Sequence, residues 1–154
     1  MKIKILLILL VIVSVIACKK DSLGTVPKIK VTSLNTTQVP ANGDFRVLLE
    51  FADKEGDVSN SIFVQKVRLN KKVVPVVTDT FSLPLPSFPP SSRGEITLSF
   101  TYQQIVAAQT PPTIPGSNPP RKESDTLILR LALRDKESHV SDTVSTPQFE
   151  VIRN

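Results

Sequence analysis

The chain has 154 residues and a net charge of +5, with Lys and Arg scattered and never in runs longer than pairs such as Lys19-Lys20, which argues against a nucleic-acid partner. A single cysteine excludes an internal disulfide and a thiolate metal cluster, and five glycines without a clustered motif exclude a phosphate-cradling loop. The lack of tryptophan and the single tyrosine argue against a carbohydrate cleft, since sugar rings stack on aromatic faces.

Lys2 and Lys4 precede an uncharged run from Ile5 to Ile16, interrupted only by Ser14. As a helix this run would span about 18 Å against roughly 30 Å of bilayer hydrocarbon, so it reads as a cleaved signal segment over residues 1–17. At its end, Val15-Ile16-Ala17-Cys18 resembles the lipobox of bacterial lipoprotein precursors, with valine where leucine is commonest. That resemblance implies covalent lipid on Cys18, which becomes the first mature residue, and a partner membrane that the protein sits on without crossing. The same small residues would suit a general signal peptidase, leaving Cys18 incidental. The chain's only cysteine falls where lipidation requires it, which favours the first reading.

Residues 18–27 then form the lipidated cysteine and a short polar tether, and residues 28–154 one domain. Within that domain period-two alternation recurs. Phe45, Val47, Leu49 and Phe51 share one face; so do Ile96, Leu98, Phe100 and Tyr102, and so do Leu127, Leu129, Leu131 and Leu133, with Arg130 and Arg134 outward. Further strands are expected at Lys28–Leu34, Ser61–Leu69, Val73–Val77, Thr80–Leu85 and Thr143–Ile152, and a short helical turn within Gln103–Gln109. One wet and one dry face per strand, repeated over seven to eight strands, predicts an all-β, antiparallel two-sheet sandwich of immunoglobulin-like type. Nine of the 13 prolines lie in Pro84–Pro90 and Pro111–Pro120, where they dictate loops or edge segments. Such segments stiffen a surface and also suit docking to a partner.

Two distant segments are near copies: residues 52–60 (Ala-Asp-Lys-Glu-Gly-Asp-Val-Ser-Asn) and 134–142 (Arg-Asp-Lys-Glu-Ser-His-Val-Ser-Asp). Each follows one of the strongest strands, and in immunoglobulin-like order those strands end side by side. Asp53, Glu55, Asp57, Asn60, Asp135, Glu137 and Asp142 would then converge as oxygen donors for a hard cation such as Ca²⁺. The pattern resembles acidic loops of calcium-binding bacterial immunoglobulin-like and cadherin-like ectodomains. An alternative stands beside it: both segments are ordinary turns, soluble at their tips, with Lys54 and Lys136 neutralising the carboxylates.

The stretch Phe45–Asn60 together with Asp125–Ile152 resembles small outer-membrane lipoproteins of the Bacteroidetes type, in which similar turns bracket an immunoglobulin-like domain; Ser138 and His139 stand where those proteins usually have glycine. The resemblance implies a cell-envelope location, periplasmic or surface-exposed, and a structural or interaction role, with another envelope protein as partner. A calcium-dependent adhesion module and a hydrolase working through His139 are the alternatives. His139 is the only histidine, with no Gly-x-Ser-x-Gly elbow to accompany it, so the expected protein is not an enzyme.

Overall fold

The computed structural model of the protein describes residues 23–70, 79–106 and 111–153. The signal segment, Cys18 and the expected strand Val73–Val77 lie outside the described residues. So do residues 107–109 of the expected helical turn, whose first residues are helical.

Alternation of apolar and polar side chains builds two sheets. The first holds β1 (Lys28–Leu34), β3 (Phe45–Ala52) and β6 (Arg93–Phe100) in the order β1-β3-β6. The second runs β2-β9-β7-β4-β5, from β2 (Gln38–Val39), β9 (Phe149–Val151), β7 (Asp125–Arg134), β4 (Ser61–Arg68) and β5 (Asp79–Pro84), with β8 (Val144–Ser145) also on β7. Every pairing is antiparallel except β2 with β9. The result is an immunoglobulin-like β-sandwich of nine strands among the described residues, the two shortest adding to the seven or eight expected.

The dry faces close on each other. Phe45, Val47, Leu49 and Phe51 of β3 and Ile96, Leu98 and Phe100 of β6 face Ile62 and Val64 of β4 and Leu127, Leu129, Leu131 and Leu133 of β7, all buried. Phe45 sits at the centre, stacked on Phe149 at 4.1 Å between ring centroids and tilted against Phe100 at 6.2 Å.

Three expectations are modified. The segment Thr143–Ile152 is two strands, because Pro147 has no N–H to donate. Thr146, just before it, stays on β7 by giving its own N–H to the Leu129 carbonyl and accepting the Leu129 N–H on its hydroxyl. Tyr102 belongs to the helix α1 (Tyr102–Ile105) and not to the preceding strand, and its hydroxyl donates to the Ile152 carbonyl at 2.8 Å. The tether is shorter than residues 18–27: Pro27 is buried, and the Lys54 N–H donates to the Gly24 carbonyl.

Both proline-rich stretches are loops, apart from Pro84 at the end of β5 and Pro111, which opens the second stretch buried. Phe88 in the first packs against Phe51 at 6.2 Å; the second is largely exposed, and an isolated bridge joins Thr113 to Lys122 across it. No helix among the described residues is long and apolar enough to cross a membrane.

Leu131, wholly buried at the middle of β7, sets a test of this core. Leu131→Ala is expected to lower the unfolding free energy by about 2–5 kcal/mol in urea titration. A loss below about 1 kcal/mol would mean that the two sheets do not pack there as described.

Candidate metal centre

Both acidic segments leave strands that end at the same rim. The segment Asp53–Asn60 crosses from β3 in one sheet to β4 in the other, and β4 pairs with β7 from Ser61 opposite Arg134. Asp135 therefore begins where the first loop ends. The Lys136 N–H donates to the Asp57 carbonyl at 3.2 Å, and the Asn60 side-chain amide donates to the Asp135 carbonyl at 2.6 Å.

Each loop turns in the same way. Asp53 Oδ2 accepts the N–H groups of Gly56 (2.7 Å) and Asp57 (3.2 Å), and Asp135 Oδ1 accepts the N–H of His139 (2.8 Å). Three residues after each aspartate the backbone enters the left-handed region, at Gly56 (φ 72°) and Ser138 (φ 75°). Glycine is required at the first place, since a Cβ on Gly56 would lie 2.8 Å from the Ser91 backbone. Ser138 has open solvent instead, and its hydroxyl accepts from Arg134 Nη2 at 3.0 Å. Serine thus replaces the glycine of the first loop without changing the turn.

The turns carry Asp53, Asp57 and Asp135 into one cluster, in which one oxygen from each lies within 4.8 Å of the others. Asp53 is 0% exposed and Asp135 1% exposed; Asp57 is half-buried. Asp53 Oδ1 and Asp57 Oδ1 are buried with no hydrogen-bond partner among the described residues. Asp135 is partnered on both oxygens, the second by His139 Nδ1 at 3.0 Å. Burial pushes the Asp53 carboxyl above its ordinary value; the Gly56 and Asp57 N–H groups oppose this, and the charges of Asp57 and Glu55 add to it.

Three carboxylates so placed suit an oxygen-seeking ion. Oxygens sharing one Ca²⁺ at about 2.4 Å lie at most about 4.8 Å apart. The expected set of seven narrows accordingly. Glu55 and Glu137, each second after the turn's aspartate, are exposed at the loop tips and outside the cluster. Asp142 is also exposed, because Ser141 before it is drawn inward to the Leu133 backbone. Asn60 acts as a brace between loops. His139, for which the sequence offers no catalytic motif, holds Asp135, and the Asp-x-x-x-His spacing within the repeat is the sequence signal for that contact.

No protein-family model matches this chain, and no curated protein matches it. Among solved structures it is similar over 84% of its length to a β-glucosidase from Kluyveromyces marxianus in complex with glucose, at 12% identity and a TM-score of 0.45. A β-glucosidase from Listeria innocua aligns over 82% at 11% identity and a TM-score of 0.37. The soluble domain of PmoD from a Methylocystis species aligns over 83% at 16% identity and a TM-score of 0.32. The chain spans 14% and 16% of the two glucosidases and 93% of the PmoD domain. Likenesses this distant carry no argument about chemistry.

The raised Asp53 pKa fixes a pH dependence for metal-free protein. Preference for the protonated form stabilises the fold fully below the unfolded value near 3.8, and that stability is lost as pH rises through the folded value. Asp53→Asn retains an acceptor for the Gly56 and Asp57 N–H groups and cannot ionise. In EDTA its urea midpoint should fall less than wild type's from mildly acidic to neutral pH. Parallel curves for the two proteins would show that the buried charge imposes no such cost.

Proposed function

We propose that this protein is a cell-envelope lipoprotein of the outer-membrane kind, anchored through lipid on Cys18, with a structural or protein-binding role at the membrane surface. In this reading a divalent cation, Ca²⁺ by the chemistry of the donors, closes the end of the sandwich by joining its two acidic loops. The observation that carries the cation is the pair of buried, unpartnered oxygens of Asp53 and Asp57 beside Asp135. A buried anionic oxygen without a partner is costly, and three neighbouring carboxylates deepen the cost, so the loops favour a bound cation over an empty cluster. The role is proposed as non-enzymatic because Asp53 and Asp135 are buried and already committed to backbone N–H groups that shape the turns. With the cation in place, the two loops would be held stiffly together at that end of the sandwich.

The anchor is supported by the sequence alone: a basic start, an apolar run too short to span, and a small residue before the only cysteine. Resemblance to Bacteroidetes-type surface lipoproteins rests on the two turns and their flanking strands.

Millimolar Ca²⁺ is expected to raise the melting temperature of the mature domain by several degrees, and Asp53→Ala to abolish the rise. An unchanged melting temperature in wild-type protein would dispose of the cation. For the anchor, mass spectrometry of protein taken from the envelope should find Cys18 as N-terminus carrying diacylglycerol, and Cys18→Ser should leave the leader uncleaved. An unmodified N-terminus elsewhere would refute it.

A further inference from the structure

The chain enters the sandwich at its acidic end. Gly24 is bonded to Lys54 in the first acidic loop, and β1 begins with Lys28 opposite Ala52, immediately before Asp53. From Cys18 to Gly24 is six residues, which reach at most about 22 Å when fully extended. The opposite end, where β4 stops and β7 starts, is about 33 Å further along the ten residues of β7. That distance exceeds the reach of the tether unless the domain lies flat.

Charge at the near end depends on the cation. Residues 52–60 and 134–142 carry six carboxylates against Lys54, Arg134 and Lys136, and Lys28 and Arg93 flank Ala52 at the same end, a net charge of −1 that one divalent ion turns to +1. Fixed charge of this sign is repelled by anionic headgroups over about one Debye length, roughly 10 Å at 0.1 M salt. Val140, 45% exposed on the second loop, offers apolar surface at the same end.

We infer that the rim holding Asp53, Asp57 and Asp135 is the face turned toward the bilayer, and that cation occupancy draws it down onto anionic headgroups. This deepens the reading above and rests on both its lipid anchor and its metal site.

The test uses the full lipidated chain, added to phosphatidylcholine–phosphatidylglycerol vesicles containing a headgroup-nitroxide lipid. Val140→Cys and Ile114→Cys replace exposed apolar residues at opposite ends, and each receives one thiol-linked fluorophore, the Cys18 sulfur being committed to its thioether. Quenching at position 140 should be several-fold stronger than at position 114, and Ca²⁺ should strengthen it further. Equal quenching, or stronger quenching at 114, would overturn the orientation. A melting temperature that rises with Ca²⁺ while quenching at 140 stays unchanged would overturn the coupling. If neither moves, the metal site itself has failed and the coupling with it, while the calcium-free comparison of the two labels still decides which end faces the lipid.

Discussion

The antiparallel pairing of β4 with β7, unbroken from Ser61 opposite Arg134 to Arg68 opposite Leu127, is the constraint on which both ends of the molecule depend. β3 lies in the other sheet, so the chain must cross the sandwich between Ala52 and Ser61. Because β4 then lies beside β7, the crossing loop ends against the residues that follow β7. Two segments some eighty residues apart in the chain are thereby neighbours without any contact of their own having to bring them together. The hydrogen bonds of Asn60 and Lys136 across the junction fix a proximity that the core has already imposed.

Core and rim share one pattern of enforcement. Val58, wholly buried, pins the first loop to the core three residues before β4 begins, and Ser141 does the same for the second by bonding the Leu133 backbone. Between those pins the only freedom left is the turn, and each turn spends an aspartate on organising its own N–H groups. Those aspartates are therefore buried for structural reasons first. The unpartnered oxygens follow from that: a carboxylate that uses one oxygen inward on the backbone must point its other somewhere, and in Asp53 it points into the junction.

Much of this was legible from the residues alone. The strong strands at Phe45–Phe51 and Leu127–Leu133 show period-two alternation because each has one dry face, and the near-repeat of residues 52–60 and 134–142 marked the rim. What stayed hidden had physical causes. β2 is two residues long and is held by pairing with β9, so it leaves no local pattern. Lys66 and Arg68 fall on the dry face of β4, where alternation alone would place apolar residues. Lys66 is satisfied by the Val106 carbonyl and Asp79, which are distant in sequence. Which of the seven oxygen-bearing side chains converge was equally unreadable. That is decided by left-handed backbone at Gly56 and Ser138, and the second of these is not a glycine.

Buried charge occurs at both ends of the sandwich, and the contrast between them bears on the cation. At the end where β7 starts, Asp125 receives Arg68 Nε at 2.8 Å and Arg153 Nη1 at 2.9 Å, and Arg68 also lies 3.5 Å from Glu123. Two guanidinium groups meet two carboxylates, so that cluster is neutral within the chain, although Arg68 Nη1 and Nη2 and Glu123 Oε2 are buried there without a hydrogen bond among the described residues. At the acidic end three carboxylates meet one histidine whose imidazole is neutral unless protonated. Lys54 and Lys136, which by sequence could have balanced them, are exposed at the loop tips. Among the described residues the chain thus builds a charge-balanced ion cluster at one end and at the other three carboxylates beside which Arg134 is turned to the Ser138 hydroxyl. That contrast is what the proposed cation would resolve: one divalent ion at Asp53, Asp57 and Asp135 would supply to the acidic end the charge balance that Arg68 and Arg153 give the other.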